Sequence, residues 1–149
     1  MASTFVNIEI KGLKAIMDKC EDVDKAVRSV LGDAVLAGAD IIRDDAKRRA
    51  PVHTGNLRKG IISHITWHKN ATKAFAGVCM DPAMNTVFVK ISKNGKRYYY
   101  PSSVEYGHKG TPAQPFMRPA MDKNKKNVKE AITSKVLFAI TKAMPGGIP

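Results

Sequence analysis

The sequence is poor in cysteine. Cys20 and Cys79 are the only two in 149 residues. Two thiols cannot build the disulfide scaffold of a small secreted domain, and these two lie too far apart in sequence for a metal-binding knuckle. We therefore expect two reduced, semi-buried thiols, with no bound metal and no cofactor.

Long apolar runs are also missing. No segment approaches the roughly 18 apolar residues of a membrane-spanning helix. The first residues do not combine a positively charged segment with an apolar stretch, as a signal peptide would. We expect one soluble, cytoplasmic domain spanning residues 1–149, without membrane contact.

Acidic residues become scarce after residue 45. Residues 1–45 hold 9 Asp or Glu and 6 Lys or Arg, a balance of −3, whereas residues 46–149 hold 4 and 19, a balance of +15. Such polarity suits nucleic acid or an acidic protein surface, and it also suits contact between the acidic half of one copy and the basic half of the next. Charge alone leaves these alternatives open.

The scarcity of carboxylates disfavours acid-base catalysis, which normally needs a paired or supported carboxylate. We expect Glu105 to form a salt bridge with Arg118 or with another subunit, and not to act as a general base. A basic nuclease using His53 or His108 with Glu105 lacks any motif of fixed spacing. The histidines do not predict a metal site and are expected at ordinary surface positions: His53, His64, His68 and His108. The sequence thus predicts a protein that is not an enzyme.

Apolar periodicity outlines the first half of the chain. Residues 1–12 alternate between apolar and polar side chains, which predicts a first strand. Residues 13–50 form a helical region in which a long helix begins near Val23, and Gly32 and Gly38 within it indicate a close-packed partner or a kink. Lys47, Arg48 and Arg49 precede Pro51, as expected at a helix end.

The second half has the patterns of strands and then of a helix. Residues 57–106 predict a β meander, with Asn94-Gly95 as a type I′ hairpin turn. Residues 107–119 form a proline-rich crossing segment in which Thr111, Gln114 and Arg118 are expected to be extended. Pro119 suits the first position of a final helix over residues 119–144. The predicted fold class is α+β, with an antiparallel sheet of about four to five strands packed against a long helix in the N-terminal half and a C-terminal helix.

Two ordered sequence blocks resemble a known family. The first is Ala-Lys-Arg-Arg-Ala-Pro-Val-His-Thr-Gly-Asn-Leu-Arg at residues 46–58, and the second is Val-Glu-Tyr-Gly at 104–107 followed by Gln-Pro-Phe-Met-Arg-Pro-Ala at 114–120. Their order and spacing are similar to those of the tail-component or tail-completion proteins of long-tailed bacteriophages and prophages, over about residues 13–143. The residues that carry the resemblance are Thr54, Gly55, Leu57, Arg58, Glu105, Tyr106, Gly107, Pro115, Phe116, Arg118 and Pro119.

The resemblance implies a structural virion protein at the head-to-tail junction, made in the host cytoplasm and assembled as a homo-oligomeric ring, a hexamer, with other phage neck or tail proteins. Thr54, Gly55 and Leu57 would shape one turn, while Glu105, Phe116 and Arg118 would make contacts within or between subunits. Phe116 is either inserted into a neighbouring subunit or part of the core. The alternative function is a basic, non-enzymatic DNA-binding protein, and a ring at the neck could itself make non-specific contact with passing DNA.

Overall fold

The computed structural model describes residues 13–67, 74–144 and 146. The predicted first strand over residues 1–12 lies outside the described residues. Two long helices and two short hairpins make up most of the described chain. The elements are α1 (Leu13–Arg49), α2 (Asn56–Lys59), β1 (Ile61–Trp67), β2 (Ala74–Met80), a 3-10 turn (Pro82–Met84), α3 (Asn85–Phe88), β3 (Val89–Ile91), β4 (Arg97–Tyr99), α4 (Tyr100–Tyr106) and α5 (Met117–Ala143).

Helix α1 begins ten residues earlier than predicted, at Leu13 instead of near Val23. Ion pairs at i,i+4 spacing begin within the acidic stretch that obscured its start. Lys25 Nζ lies 2.7 Å from Glu21 Oε1, and Arg28 Nε lies 2.7 Å from Asp24 Oδ2. Exposed pairs of this kind stabilise a helix only slightly, but they favour the helical backbone.

Helices α1 and α5 pack antiparallel to each other. Near one end Asn124 Nδ2 donates to Asp45 Oδ2, and farther along a Cβ placed on Gly38 would lie 3.0 Å from both Val128 Cγ1 and Ile132 Cδ1. Gly38 therefore permits close approach of the two helices. The expectation of a close-packed partner at this glycine is confirmed.

The strands form two separate two-stranded antiparallel sheets, so the prediction of one sheet with four to five strands was wrong for the described residues. The first pairs β1 with β2 from Ile61↔Met80 to Trp67↔Ala74, and the second pairs β3 with β4 from Val89↔Tyr99 to Ile91↔Arg97. Asp81 interrupts the meander because its carboxylate accepts from the Ala83 N–H and starts the 3-10 turn.

The β3–β4 turn differs from the type I′ prediction. The Gly95 N–H donates to the Ser92 carbonyl at 2.9 Å, which makes Lys93 and Asn94 the central residues of the turn. Gly95 follows them with a φ of 73°. A glycine of positive φ after such a turn is typical of a three-residue hairpin loop.

Two further boundaries correct the sequence predictions. The meander was expected to run to residue 106, but its last residues form α4, where Pro101 lies in the first turn and loses no helical hydrogen bond. Helix α5 begins at Met117, so Arg118 is helical and not extended, and Pro119 is the third helical residue and not the first. The amide of the third residue has no partner within a helix, which makes proline acceptable there.

The core lies where α1, α2, α5 and the β1–β2 hairpin meet. Among the described side chains, the largest fully buried ones are Phe88, Phe116 and Ile61. Phe116 and Ile61 belong to one cluster with Ala46, Ala50, Leu57 and Ala120. Among the described helices, none is both long enough and apolar enough to cross a membrane.

Candidate functional site

The second motif block folds around the buried carboxylate of Glu105, which is 5% exposed and lies on α4. Its Oε2 accepts from the backbone N–H of Phe116 at 2.7 Å and of Met117 at 3.0 Å, and its Oε1 accepts from the N–H of Arg118 at 3.1 Å. These amides open α5 and have no partner within it. Glu105 therefore caps a helix that begins about eleven residues later in the chain.

Arg118 closes the same cluster from the other side. Its Nε donates to Glu105 Oε1 at 3.0 Å, and its Nη2 donates to the Glu105 carbonyl at 2.9 Å. The guanidinium carbon also lies 4.6 Å from the centre of the Tyr106 ring, within the range of a cation–π contact. The expected salt bridge between Glu105 and Arg118 is thus present within one chain. We name these residues, with Phe116 and Met117, the Glu105 cluster.

The carboxylate of Glu105 is held in its charged form. Burial by itself raises the pKa of Glu105, but hydrogen bonds from the Met117, Phe116 and Arg118 amides and from the Arg118 side chain outweigh burial and bring the pKa below its ordinary value of 4.5. Both carboxylate oxygens are engaged by donors. This arrangement suits a fixed structural anion better than a proton acceptor in catalysis.

Gly107 ends α4 and permits a close backbone crossing. Its φ is 72°, and a Cβ at this position would lie 2.7 Å from the Ala113 nitrogen and 2.9 Å from the Thr111 carbonyl oxygen. The Gln114 N–H donates to the Val104 carbonyl at 2.8 Å and ties the crossing segment to α4. The sequence Val-Glu-Tyr-Gly therefore places the carboxylate and turns the chain so that α5 can begin beside it.

The first motif block forms one wall of an open groove of about 730 Å³. Residues 51–57 line one side, and the β3–β4 hairpin and α4 line the other. Three large apolar side chains at this groove are strongly exposed: Val52 at 58%, Ile91 at 72% and Tyr98 at 43%. Lys90 and His53 also lie along it. We refer to this feature as the groove.

The motif residues between positions 54 and 58 lie in three different environments: the groove, the core and the surface. Thr54 and Gly55 line the groove, where Gly55 has a φ of 79° and Thr54 Oγ1 accepts from the Asn56 N–H at 3.4 Å. Leu57 is buried and shares the core cluster with Phe116, so this pair joins the two motif blocks. Arg58 is exposed.

The remaining motif residues occupy different environments. Pro115 is exposed and Pro119 is half-buried. Phe116 is only 1% exposed. Of the two positions expected for Phe116, the structure therefore shows the core of its own chain and not insertion into a neighbouring subunit.

Sequence reasoning missed a second polar cluster, which joins α1 to α5. Asp45 is buried and accepts from Arg49 at 2.9 Å, from Arg48 at 3.1 Å and from Asn124 at 2.8 Å. Burial raises the pKa of Asp45, but the hydrogen bonds from Arg49, Asn124 and Arg48 outweigh it and bring the pKa below 3.8. Arg48 and Arg49 thus neutralise a buried acid. The carboxylate four residues before Arg49 was the available signal.

The histidines and cysteines do not form a metal centre in the described part of the chain. No group of three metal-binding side chains converges there. His64 Nδ1 and Cys79 Sγ lie 3.6 Å apart as a pair, while His68 lies outside the described residues. Both cysteines are free, but Cys20 is exposed and not semi-buried as predicted.

Comparison with known protein families matches residues 14–107 to one family, which covers well over half of the chain. The protein therefore belongs to a family of bacteriophage tail components. That family is the HK97-gp10-like family, described as the bacteriophage HK97-gp10 tail component, and the predicted family resemblance is confirmed. The match ends at Gly107, so residues 114–120 lie beyond it. No curated protein and no solved structure matches the chain.

Proposed function

We propose that this chain is a structural virion protein of the head-to-tail junction, where copies assemble as a ring that completes the tail or joins it to the head connector. The observation that carries the proposal is the match of residues 14–107 to a family of phage tail components. The ring and its copy number of six rest on the family resemblance. Other neck or tail proteins are its proposed partners, and it acts without a cofactor.

The surface of the described chain supports a role in assembly. Three large apolar side chains are exposed together along the groove: Val52, Ile91 and Tyr98. Exposed apolar side chains that cluster around a concave surface mark contact sites more often than isolated ones do. The Glu105 cluster and the core hold the elements that line the groove in place, so the motif residues Glu105, Phe116 and Arg118 support assembly indirectly.

Arg58 provides a test of this function. Its side chain is exposed and forms no ion pair among residues 13–67, 74–144 and 146, which leaves it accessible to another chain. We expect Arg58→Glu to reduce the fraction of joined head–tail particles about tenfold when the variant complements a phage lacking this gene, because the substitution replaces a charge attraction across the contact with a repulsion. Electron microscopy of the particles measures the outcome.

Lys59→Glu is the matched control. Lys59 is the exposed neighbour of Arg58 on the same short helix, and this substitution changes the charge by the same amount. It should leave joining at the wild-type level. If the wild-type chain does not restore joining to the deletion phage, or if it is missing from purified particles, the proposed function is wrong.

A second candidate function is non-specific contact with DNA. Asp81 is the only acidic residue between residues 46 and 104, and the β3–β4 hairpin carries four cations without an acid: Lys90, Lys93, Lys96 and Arg97. We expect weak binding of duplex DNA whose log affinity falls linearly with log salt, by about 0.9 for each phosphate contacted. A titration between low and physiological salt measures the slope. Affinity independent of salt, or selective for one sequence, would contradict a purely electrostatic contact.

A further inference from the structure

Helix α1 extends past the end of its partner helix. Residues 26, 29 and 30 of α1 line a shallow depression together with the last turns of α5, up to Ala143. Because the two helices are antiparallel and α5 ends at Ala143, residues 13–25 of α1 lie beyond α5. They form about 20 Å of helix at 1.5 Å per residue. We call residues 13–25 the overhang.

The overhang combines an apolar stripe with an acidic flank. From residue 18 to residue 25 every side chain is exposed except Val23, which is half-buried. Cys20 and Val23 continue, at spacings of three and four, a stripe whose next members, Val27 and Val30, are half-buried. Residues 18–24 hold four acids and one lysine. A helix of this kind is seldom stable alone in water and is usually stabilised by packing of its apolar face.

The groove has the complementary character and lies at the opposite end of α1. It begins at Pro51, just after α1 ends, and is apolar with exposed Val52, Ile91 and Tyr98. Lys90 lines the groove, and the β3–β4 hairpin that carries it holds three further cations and no acid. The two ends of α1 are about 54 Å apart at 1.5 Å per residue, so a chain cannot place its overhang in its own groove.

We propose that the overhang of one copy docks in the groove of the next copy of this chain, with its apolar stripe on Ile91, Tyr98 and Val52 and its acidic residues toward the cations of the hairpin. An amphipathic helix in an apolar groove is a common mode of recognition. The contact is head-to-tail, and such contacts close into a ring when the rotation between copies allows it. The inference rests on the proposed ring assembly and names its contact.

Charge favours this arrangement over pairing of two overhangs. A symmetric contact would bring four acids and one lysine of one copy against the same set in its partner, and like charges disfavour it. Docking in the groove instead brings the acidic overhang to face the basic hairpin. The groove also suits a protein helix better than duplex DNA, because phosphates would lie against the exposed side chains of Val52 and Ile91.

Native Cys20 allows a direct test by disulfide crosslinking. In a Cys79→Ala background, Ile91→Cys places a second thiol on the groove. We expect mild oxidation of protein at up to about 1 mM to produce a ladder of linked oligomers that collapses on reduction. The matched control, Ser134→Cys, places a thiol at an exposed position on α5. It should crosslink at least tenfold more slowly. Equal rates in the two variants, or no ladder with Ile91→Cys, would overturn the proposal.

Charge reversal tests the pairing independently. Glu21 and Asp24 lie on one side of the apolar stripe at about 100° per residue, so Glu21→Lys with Asp24→Lys should suppress the ladder of the Cys20 and Ile91→Cys protein. Lys90→Glu with Lys93→Glu should do the same, because Lys90 lines the groove and Lys93 follows it on the hairpin. An equimolar mixture of the two proteins should restore crosslinking, because the reversed overhang of one protein then meets the reversed hairpin of the other. A mixture that stays unlinked, while each protein keeps its wild-type circular dichroism, contradicts the pairing.

The crosslinking result and the proposed function can fail separately. If no ladder forms but the chain still restores joined particles, the ring uses another contact and only this inference is lost. If the ladder forms but the chain is missing from particles, the copies associate and the proposed function is wrong. In particles that contain the Ile91→Cys protein, the inference requires a disulfide between Cys20 of one copy and the thiol introduced at position 91 of its neighbour.

Discussion

Phe116→Ala is expected to lower the free energy of unfolding by about 3–5 kcal/mol, the usual range for removing a buried aromatic side chain. The phenyl ring is 1% exposed and packs in the cluster that contains Leu57, Ile61 and Ala120. Phe116 also precedes the first residue of α5, so the vacated space lies where several elements meet. Urea unfolding, monitored by circular dichroism, measures the change.

Phe138→Ala is the matched control, because it makes the same substitution on α5 where the side chain is 72% exposed. It should change the free energy of unfolding by about 0.5 kcal/mol or less. Equal and small effects of the two substitutions would mean that Phe116 is not part of the core. A variant of Phe116 that does not fold cannot test an interface, so its stability has to be measured before any assembly assay.

The two long helices and the β1–β2 hairpin were predictable because each carries its own periodic pattern over many residues. The stripe from Val27 to Ala46 and the alternation of Ile61, Ile65 and Trp67 are local signals that tertiary packing reinforces. The start of α1 was missed because residues 18–22 are acidic and weakly patterned. Ion pairs between residues four apart contribute there, and an apolar pattern does not reveal them.

The short elements between residues 82 and 106 could not be predicted from local propensity alone. The segment with Val87, Val89 and Ile91 has high β propensity, yet Phe88 ends a helical turn and is fully buried against Tyr99 and Tyr100, with ring centres 5.9 and 5.6 Å away. Burial of one large ring outweighs the small propensity differences along the segment. The sheet is correspondingly split into two hairpins.

The contact between Glu105 and Arg118 was predictable from the sequence, but the geometry of the site around it was not. An acid and an arginine in one short, proline-rich segment indicated the contact between Glu105 and Arg118. The three amides that bind Glu105 could not be foreseen, because they depend on α5 beginning at Met117. The contact between Asp45 and Asn124 joins residues 79 positions apart and has no local signal for its partner.

The Glu105 cluster makes stability depend on acid pH. Because the folded-state pKa of Glu105 lies below its ordinary value of 4.5, the charged carboxylate contributes stability that is fully present above that value and is lost as the pH falls through the folded-state pKa. Glu105→Gln keeps the size of the side chain and removes its charge. It also places an amide NH₂, which can only donate, against the backbone N–H donors. At pH 7 we expect it to lower the free energy of unfolding by about 3 kcal/mol.

The difference between wild type and Glu105→Gln should shrink as the pH falls below 4.5, since the wild-type carboxyl group then loses its own charge. Unfolding curves from about pH 7 to pH 3 measure it. Asp45, whose pKa is also lowered, titrates in both proteins, so its contribution cancels in the difference between their free energies of unfolding. Glu130→Gln, at an exposed site paired only with Lys126 at 3.8 Å among the described residues, should change little at any pH. A constant difference for Glu105→Gln would mean that shape, and not the charge that holds the first turn of α5, determines its effect.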